Sequence, residues 1–448
     1  MSPLTESLAA QDSATTPTAA PNSAQTGFIS LGDAARLAAR NSASAQGARA
    51  RVGEAQARVT ESRAALIPSV TGLGSQNRRT LNTASFGFSF PTPPGQPPLF
   101  DPNGEVIPPF TVVDFRGRIV APVVDFGAIA RLRGARASVT ASSAEATATS
   151  EQAASQAAIA YVRALRAADD FRARSEDSTL AADLVTVAQG QLQAGTGIAL
   201  DVTRARSQLA ATRAQLIASR AARDRTRIDL ARTLNLPLGT NLALADSLGA
   251  LDTTGVGTDE QTATRRALQN RPDLIAAQAR VAAARQGVSS IRAERLPTLS
   301  LVADDGVNGK NYSHLLNTYD YGFQLSVPIL DGFRRAGRVQ EQQGVVREAE
   351  IQQRDIEQQA AADVRGALID LHSAAEQVAA TRERLSLAQQ EVTEARERFR
   401  AGVAGNADVI TALLSLTTAH TAVIDAQTSY QSARVALARA QGATTTIP

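Results

Sequence analysis

The residue types that usually carry out chemistry in proteins are scarce and widely separated in this chain. Its 448 residues include three histidines, His314, His372 and His420, and no cysteine. No metal-ligand spacing surrounds the histidines, and the composition excludes a thiolate site. The Asp304-Asp305 pair has carboxylates that could bind a cation, but its place at a strand end favours an acidic turn. We therefore predict no metal ion and no cofactor.

No sequence motif predicts covalent or phosphate chemistry either. Nucleophile elbows, phosphate-binding loops and paired catalytic carboxylates are absent from the sequence. Gly195-Thr196-Gly197 is a lone GxG, which is more typical of a turn that ends a helix. The sequence thus predicts a protein that is not an enzyme.

Charge and hydropathy narrow the class further. The net charge is +3 and Lys310 is the only lysine. Arginines alternate with acids, as in Arg382-Glu383-Arg384, which is typical of a solvated helix face and argues against nucleic-acid binding. No stretch approaches the ~20 apolar residues of a membrane helix. Residues 1–26 are rich in Ser, Thr, Ala and Pro, which predicts a disordered tail, and no signal peptide is visible in them.

The turn at Gly195 belongs to a segment that recurs later in the chain. Residues 193–202 recur as residues 400–409, and Leu296-Pro297-Thr298 echoes Ile67-Pro68-Ser69. A repeat of this length predicts two copies of one elongated structural unit.

Heptads predict that each unit contains a long helical hairpin. Large and small apolar residues recur every seven positions between residues 360 and 440, which is the pattern of a left-handed coiled coil. The large column is Val364, Leu371, Val378, Leu385, Val392 and Phe399, and then Val409, Leu416, Val423, Tyr430 and Leu437. Alanines and Thr381 form the small column in the second repeat, and in the first repeat Arg174 interrupts the column of alanines. A generic coiled coil remains open on this pattern alone.

Alternating residues predict one β-hairpin in each repeat. Apolar and polar residues alternate around residues 113–119 and 319–327, and strands at 69–78 and 298–304 are the expected partners. Such strands suit either a soluble sheet packed on a helix or a transmembrane β-barrel. In the barrel the lipid-facing residues are Val113, Phe115, Ile119, Tyr319, Tyr321, Phe323 and Leu325, and the lumen-facing ones are Asp114, Arg116, Arg118, Asp320 and Gln324. Four strands are too few for a conducting barrel, so several chains must contribute.

These patterns give a map of the chain. Eight prolines between Pro91 and Pro109 predict a stiff exposed loop, longer than its counterpart at 305–317. The map comprises a disordered tail 1–26, a first repeat 27–240 (helix 31–67, hairpin 69–121, long helix 127–193, return helix 202–235), an equatorial connection 241–258, and a second repeat 259–448 (helix 260–296, hairpin 298–327, long helix 332–400, return helix 409–441).

In this order of elements the chain resembles the TolC-type outer-membrane efflux family. Residues 122–127 and 328–332, where strands re-enter helices, carry the resemblance together with the duplicated halves. It implies an α+β membrane protein whose homotrimer forms a 12-stranded transmembrane β-barrel in outer-membrane lipid and an α-barrel sheath across the periplasm of a Gram-negative bacterium. It also implies a passive efflux or type I secretion channel that docks on a periplasmic adaptor and an inner-membrane pump or secretion ATPase. A periplasmic coiled-coil adaptor or a structural scaffold is the alternative.

The resemblance also implies roles for residues at the periplasmic tips. The adaptor-docking residues are Gly195, Thr196, Gly197, Gly402, Gly405 and Asn406. The periplasmic gate involves Asp201, matching a linking acid, and Asp408, matching a constriction acid. Phe399 replaces the linking Tyr, Ala404 the linking Arg and Thr411 a second constriction acid. Because Phe399 cannot hydrogen-bond Asp201, we expect that link to be missing. If Asp408 rings the axis, three carboxylates make the pore cation-selective. Alternatively, Asp201 and Asp408 are only N-caps of the return helices.

Overall fold

A computed structural model describes residues 28–82, 95, 106–249 and 259–447. The predicted tail 1–26, most of the proline-rich loop and the end of the predicted connection 241–258 lie outside the described residues. The described residues form the helices α1 Leu31–Asn41, α2 Ala43–Ala64, α3 Phe126–Gln193, α4 Ala199–Thr233, α5 Glu260–Asn270, α6 Pro272–Ala293, α7 Arg334–Arg400 and α8 Asn406–Ala440. The strands are β1 Phe28–Ile29, β2 Ser69–Asn82, β3 Val106–Asp125, β4 Ala243–Leu244, β5 Thr298–Gly309 and β6 Leu315–Ser326.

Two helices that the sequence predicts as continuous are each broken once. The first breaks at Ser42, whose Oγ accepts a hydrogen bond from the Ala45 amide at 3.2 Å and so caps α2. The second breaks at Arg271, which is extended because Pro272 follows it and begins α6. Both breaks lie near mid-height, where short helices stack end to end beside one long helix.

The strands extend further into the loops than predicted. Gly309 pairs with Leu315, so the predicted loop at 305–317 is wrong and only residues 310–314 turn. Backbone pairing continues there although polar residues interrupt the apolar alternation. β3 also includes Pro108 and Pro109, which the sequence assigned to the loop. The register shift between Arg79 and Leu81 accommodates them, as is typical of proline at a bulge.

Two long helices organise the rest of the chain. α3 has 68 residues and α7 has 67, or about 100 Å each at ~1.5 Å per residue. In the half of the wall next to the sheet, neighbouring helices lie in the order α2, α3, α6, α7. This order matches that of the strands connected to them, β2-β3-β5-β6. On the opposite side the order is α4, α3, α8, α7. The chain is therefore one wall of helices joined to a four-stranded sheet at one end.

The predicted heptad seam is confirmed. α7 and α8 bury it against each other, with the residues Ala367, Leu371, Ala374, Val378, Ala426, Tyr430, Ala433 and Leu437 forming one cluster. The expectation of no membrane-length apolar helix needs correction, because α8 meets that criterion by length and composition within the described part of the chain. Its alanines and leucines are apolar enough to do so, but they serve the seam with α7 and α3.

A buried core at mid-height joins the two breaks to the long helices. The Tyr161 hydroxyl on α3 donates to the Ile29 carbonyl at 2.8 Å, and burial raises the pKa of this phenol. The Arg271 guanidinium bonds Asp273 and Asp363 at 2.7 Å each. Burial raises the pKa of Asp273, but the hydrogen bonds from Arg271 outweigh it and hold that pKa below its usual value. These contacts fix β1 against α3 and the start of α6 against α7.

Candidate conduit surfaces

The two tips of the helical wall are the same helix-ending turn. After α3, Gly195 has a φ of 72°, and the Thr196 amide donates to the Gln191 carbonyl at 3.0 Å. After α7, Gly402 also has a φ of 72°, and the Val403 amide donates to the Arg398 carbonyl at 3.0 Å. This is the Schellman motif, in which glycine takes the left-handed position without strain. The GxG sequence is thus a turn.

The acids after each turn occupy equivalent places. α4 begins after Ile198 and α8 after Gly405, and neither of these N-cap residues makes a side-chain capping bond. Asp201 and Asp408 each lie three residues later, in the first turn. The N-cap alternative is therefore wrong, because the helices begin earlier than the sequence suggested. A carboxylate in the first turn still interacts favourably with the helix dipole.

Two amide side chains connect the tip of one hairpin to the tip of the other. Gln191 Nε2 donates to the Phe399 carbonyl, and Asn406 Nδ2 donates to the Asp201 carbonyl, both at 2.7 Å. We call this pair of bonds the tip latch. Asn406 is fully buried, and its Oδ1 has no hydrogen-bond partner. Sequence reasoning missed the latch because a link from a side chain to a backbone carbonyl leaves no residue-pair signature.

An apolar cluster lies directly above the tip latch. The Phe399 ring is buried there with Leu184, Val202, Val409 and Leu413 from the three other helices. Phe399 therefore contributes packing across both hairpins. Among the described residues, the Asp201 carboxylate has no hydrogen-bonding or ion-pair partner. Thr411 is exposed one turn after Asp408, and its hydroxyl donates to the Ala407 carbonyl of its own helix at 3.0 Å.

A buried polar cluster joins α3 to α8 further from the tips. The Asp177 carboxylate accepts a bond from Thr417 Oγ1 at 2.9 Å and lies 3.2 Å from His420 Nδ1. Arg174, which interrupts the alanine column, donates from Nη2 to Thr421 Oγ1 at 2.9 Å. His420 is therefore not isolated, as it looked in the sequence. Across the described ranges, no three His, Asp or Glu side chains are placed to hold a metal ion.

Most of the predicted docking residues lie at the surface of the tips. Gly195, Thr196, Gly402 and Gly405 are exposed and Gly197 is half-buried. Asn406 is the exception, and its assignment to a docking surface is wrong because its side chain forms the tip latch. Exposed apolar side chains surround the glycines: Leu192, Ile198, Leu200 and Val403.

The strand register places the predicted lipid-facing residues on one face of the sheet. Directly opposed residues share a face, and the pairs Phe115 with Val307, Ile119 with Ala303, Ala303 with Tyr321, and Leu301 with Phe323 therefore define it. Tyr319, Tyr321, Phe323 and Leu325 are all strongly exposed on it. We call this the apolar face. Tyr319 and Tyr321 stack with ring centroids 6.1 Å apart.

Val113 departs from the pattern. It belongs to the apolar face by register but is only 1% exposed, so its assignment to the lipid surface is wrong. The loop between β5 and β6 folds over this end of the sheet. Its Tyr312 ring lies 6.3 Å from the Phe115 ring, and the Tyr312 hydroxyl donates to Gln76 Oε1 at 2.8 Å. Gln76 is the residue paired with Val113.

The opposite face of the sheet is polar. The Arg118 guanidinium holds both oxygens of Asp304, at 2.7 and 3.1 Å, and Arg116 pairs with Asp114. Asp320 and Gln324 lie on the same face, opposite Asp304 and Ser300. The acidic pair at residues 304–305 is therefore divided between the two faces, and neither a turn nor a cation site describes it.

Known proteins share this architecture. A family model described as outer membrane efflux protein matches residues 34–236 and 263–443. The pyoverdine export outer membrane protein OpmQ of Pseudomonas putida is 26% identical over 423 residues, which cover 91% of this chain and 84% of that protein.

Solved structures of outer-membrane proteins have the same fold. VceC of Vibrio cholerae aligns with a TM-score of 0.73 and 20% identity, over 92% of this chain and 96% of VceC. The CmeC channel of Campylobacter jejuni aligns with a TM-score of 0.75 and 18% identity, over 92% and 86%. The chain therefore belongs to the outer membrane efflux protein family, non-enzymatic transport conduits of the Gram-negative outer membrane that extend into the periplasm.

Proposed function

We propose that three copies of this internally duplicated chain form the exit duct of a tripartite efflux or type I secretion system. The observation that carries the proposal is the unfinished sheet. Among the described residues, its order β2-β3-β5-β6 leaves one edge of β2 and one edge of β6 unpaired, and exposed aromatic and aliphatic side chains line one face of β6. Lipid tolerates no open sheet edge, so the sheet must close with strands from other copies.

Three copies would supply twelve strands, which is enough for a barrel with a polar lumen. The apolar face then contacts outer-membrane lipid, and the face with Arg118 and Asp304 lines the pore. The helical wall continues the tunnel into the periplasm. Its outermost helices near the sheet, α2 and α7, follow the outermost strands, β2 and β6, so both layers have their unpaired edges on the same two sides. No nucleotide-binding motif is present in the chain, so energy comes from an inner-membrane partner reached through an adaptor. The similarity to a pyoverdine export protein favours efflux over polypeptide secretion.

Membrane fractionation tests this function against that of a periplasmic adaptor or scaffold. We expect the protein in the outer-membrane fraction, released only by detergent, and migrating on SDS gels as an oligomer that heating converts to a monomer. Release as a soluble monomer by osmotic shock would contradict the proposal.

The tips should dock on the adaptor. Replacing Gly402 by Leu puts a side chain at a φ of 72°, which costs roughly 1–2 kcal/mol locally, and adds bulk at the contact. We expect export to be lost while oligomers and membrane insertion persist. Gly134→Leu is the control, because a Cβ there meets no atom within 4 Å in an ordinary helical backbone. Crosslinks to the adaptor that form only far from the tips would place docking elsewhere.

The Asp408 carboxylates should ring the pore axis and favour cations. The variant Asp408→Asn should lower the cation-to-anion permeability ratio in planar bilayers and weaken block by trivalent cations. Asp201→Asn is a matched control because it removes a carboxylate from the same first-turn position of the other hairpin. No effect of Asp408→Asn on permeability or block would exclude a ring at Asp408, whereas an equal effect of Asp201→Asn would place both carboxylates in the pore.

A further inference from the structure

The edges of the sheet predict how one copy meets the next. Strands β3 and β5 already form a seam between the two hairpins of one chain, and β6 and β2 are the free edges. If the chain repeats one unit, the seam between two copies should reproduce the internal seam. This inference rests on the proposed oligomer and specifies its register.

The two hairpins have equivalent registers. Ser69, just after Pro68, pairs with Val120, two residues before Pro122. Thr298, just after Pro297, pairs with Ser326, two residues before Pro328. β5 is therefore the counterpart of β2, and β6 the counterpart of β3, residue by residue.

Because of this equivalence, the residue pairs between β3 and β5 within one chain predict the residue pairs between β6 of one copy and β2 of the next. Across the internal seam Asp114 pairs with Asn308, and the counterparts of these two residues are Asp320 and Arg79. We propose that β6 pairs antiparallel with β2 of a second copy, with Asp320 directly opposite Arg79 of the partner subunit on the polar face. Leu325 then lies opposite Gly74 of the partner subunit on the apolar face.

The charges of the free edges support this register. Asp320 lies opposite Asp304 within the chain, an unfavourable pairing of like charges, and Arg118 already binds Asp304. No ion pair to Asp320 or to Arg79 forms among the residues that the structure describes. The Arg79 guanidinium lies 5.8 Å from the Phe110 ring centroid instead. A second copy gives both side chains an opposite charge.

Exposure at the strand-to-helix junctions supports the same partner. At the internal seam Val123 and Val124 are 53% and 37% exposed, because Val124 pairs with Leu299 of β5. Their counterparts Ile329 and Leu330 are 92% and 86% exposed, since no strand of the described residues lies beside β6 there. In the proposed register Leu330 lies opposite Val70 of the partner subunit, and the same coverage is restored.

The absence of cysteine makes the register directly testable. Opposed residues have Cα atoms ~4.5–5.5 Å apart, within disulfide reach. The double variant Arg79→Cys with Asp320→Cys should crosslink subunits on oxidation and yield dimers and trimers on non-reducing gels. Asn77→Cys or Leu81→Cys with Asp320→Cys, which report a slip of two residues, should not.

Charge reversal gives an independent measurement on the same pair. Arg79→Asp should lower the SDS-resistant oligomer at least about tenfold, because like charges then face each other at every seam. Adding Asp320→Arg should restore it, whereas Asp320→Arg should not rescue Arg78→Asp on the other face. Oligomers without this rescue, or with crosslinks only in the slipped pairs, would overturn the register and leave the proposed function standing. A wild-type chain that forms no oligomer would instead contradict the proposed function.

Discussion

Replacing Phe323 by Arg should nearly abolish assembled protein in the outer membrane. Phe323 lies on β6 three residues before its last residue, Ser326, and is strongly exposed on the apolar face opposite Leu301. An arginine on the lipid face of a barrel costs about 2–4 kcal/mol at the bilayer midplane and less towards the interfaces, and three copies incur that cost together. Heat-modifiable oligomer in isolated outer membranes measures the loss.

The neighbouring position supplies the control. Gln324 is on the polar face, opposite Ser300, so Gln324→Arg adds the same charge one residue away on the lumen side. We expect near-normal oligomer yield from this variant and a shift in ion selectivity. If Gln324→Arg blocked assembly and Phe323→Arg did not, the apolar face would point into the lumen.

Removing the tip latch should open the periplasmic end of the duct. The double variant Gln191→Ala with Asn406→Ala removes two bonds per chain. At roughly 0.5–1.5 kcal/mol each, six bonds in three chains favour the closed tips by about 3–9 kcal/mol. The population of open tips should therefore rise at least about a hundredfold. The unpartnered Asn406 Oδ1 lowers the strength of the latch and makes release easier.

Single-channel conductance and label distances report this opening. We expect conductance to increase severalfold and spin labels at positions 196 and 403 to separate. Gln193→Ala is the control, because Gln193 is an exposed amide on the same final turn of α3. A double variant with unchanged conductance and label distances would show that the tips are held closed by other contacts, such as the cluster around Phe399.

The periodicity of apolar residues correctly predicted which side of a single helix or strand is buried. The heptads located the α7–α8 seam, and the alternation in β6 identified its two faces, because these patterns record which side of an element meets apolar neighbours. Helix breaks at Ser42 and Arg271 were missed. Each depends on a local capping group or a following proline inside an otherwise helical pattern.

Contacts between elements distant in sequence were the least predictable. The burial of Val113 under the Tyr312 loop and the pairing of Asp177 with His420 depend on tertiary placement. Asn406 was expected at the docking surface from the resemblance, yet it is fully buried at the latch. The position of the gate carboxylates was inferred from the resemblance, but their place within the first turn came from the structure.

Electron cryo-microscopy of the detergent-purified protein tests the central claim most directly. The account predicts a threefold ring in which β6 of each copy pairs with β2 of the next and twelve strands close one barrel above a continuous helical tunnel. A monomer, or a ring whose sheets remain separate with β2 and β6 unpaired, would contradict it.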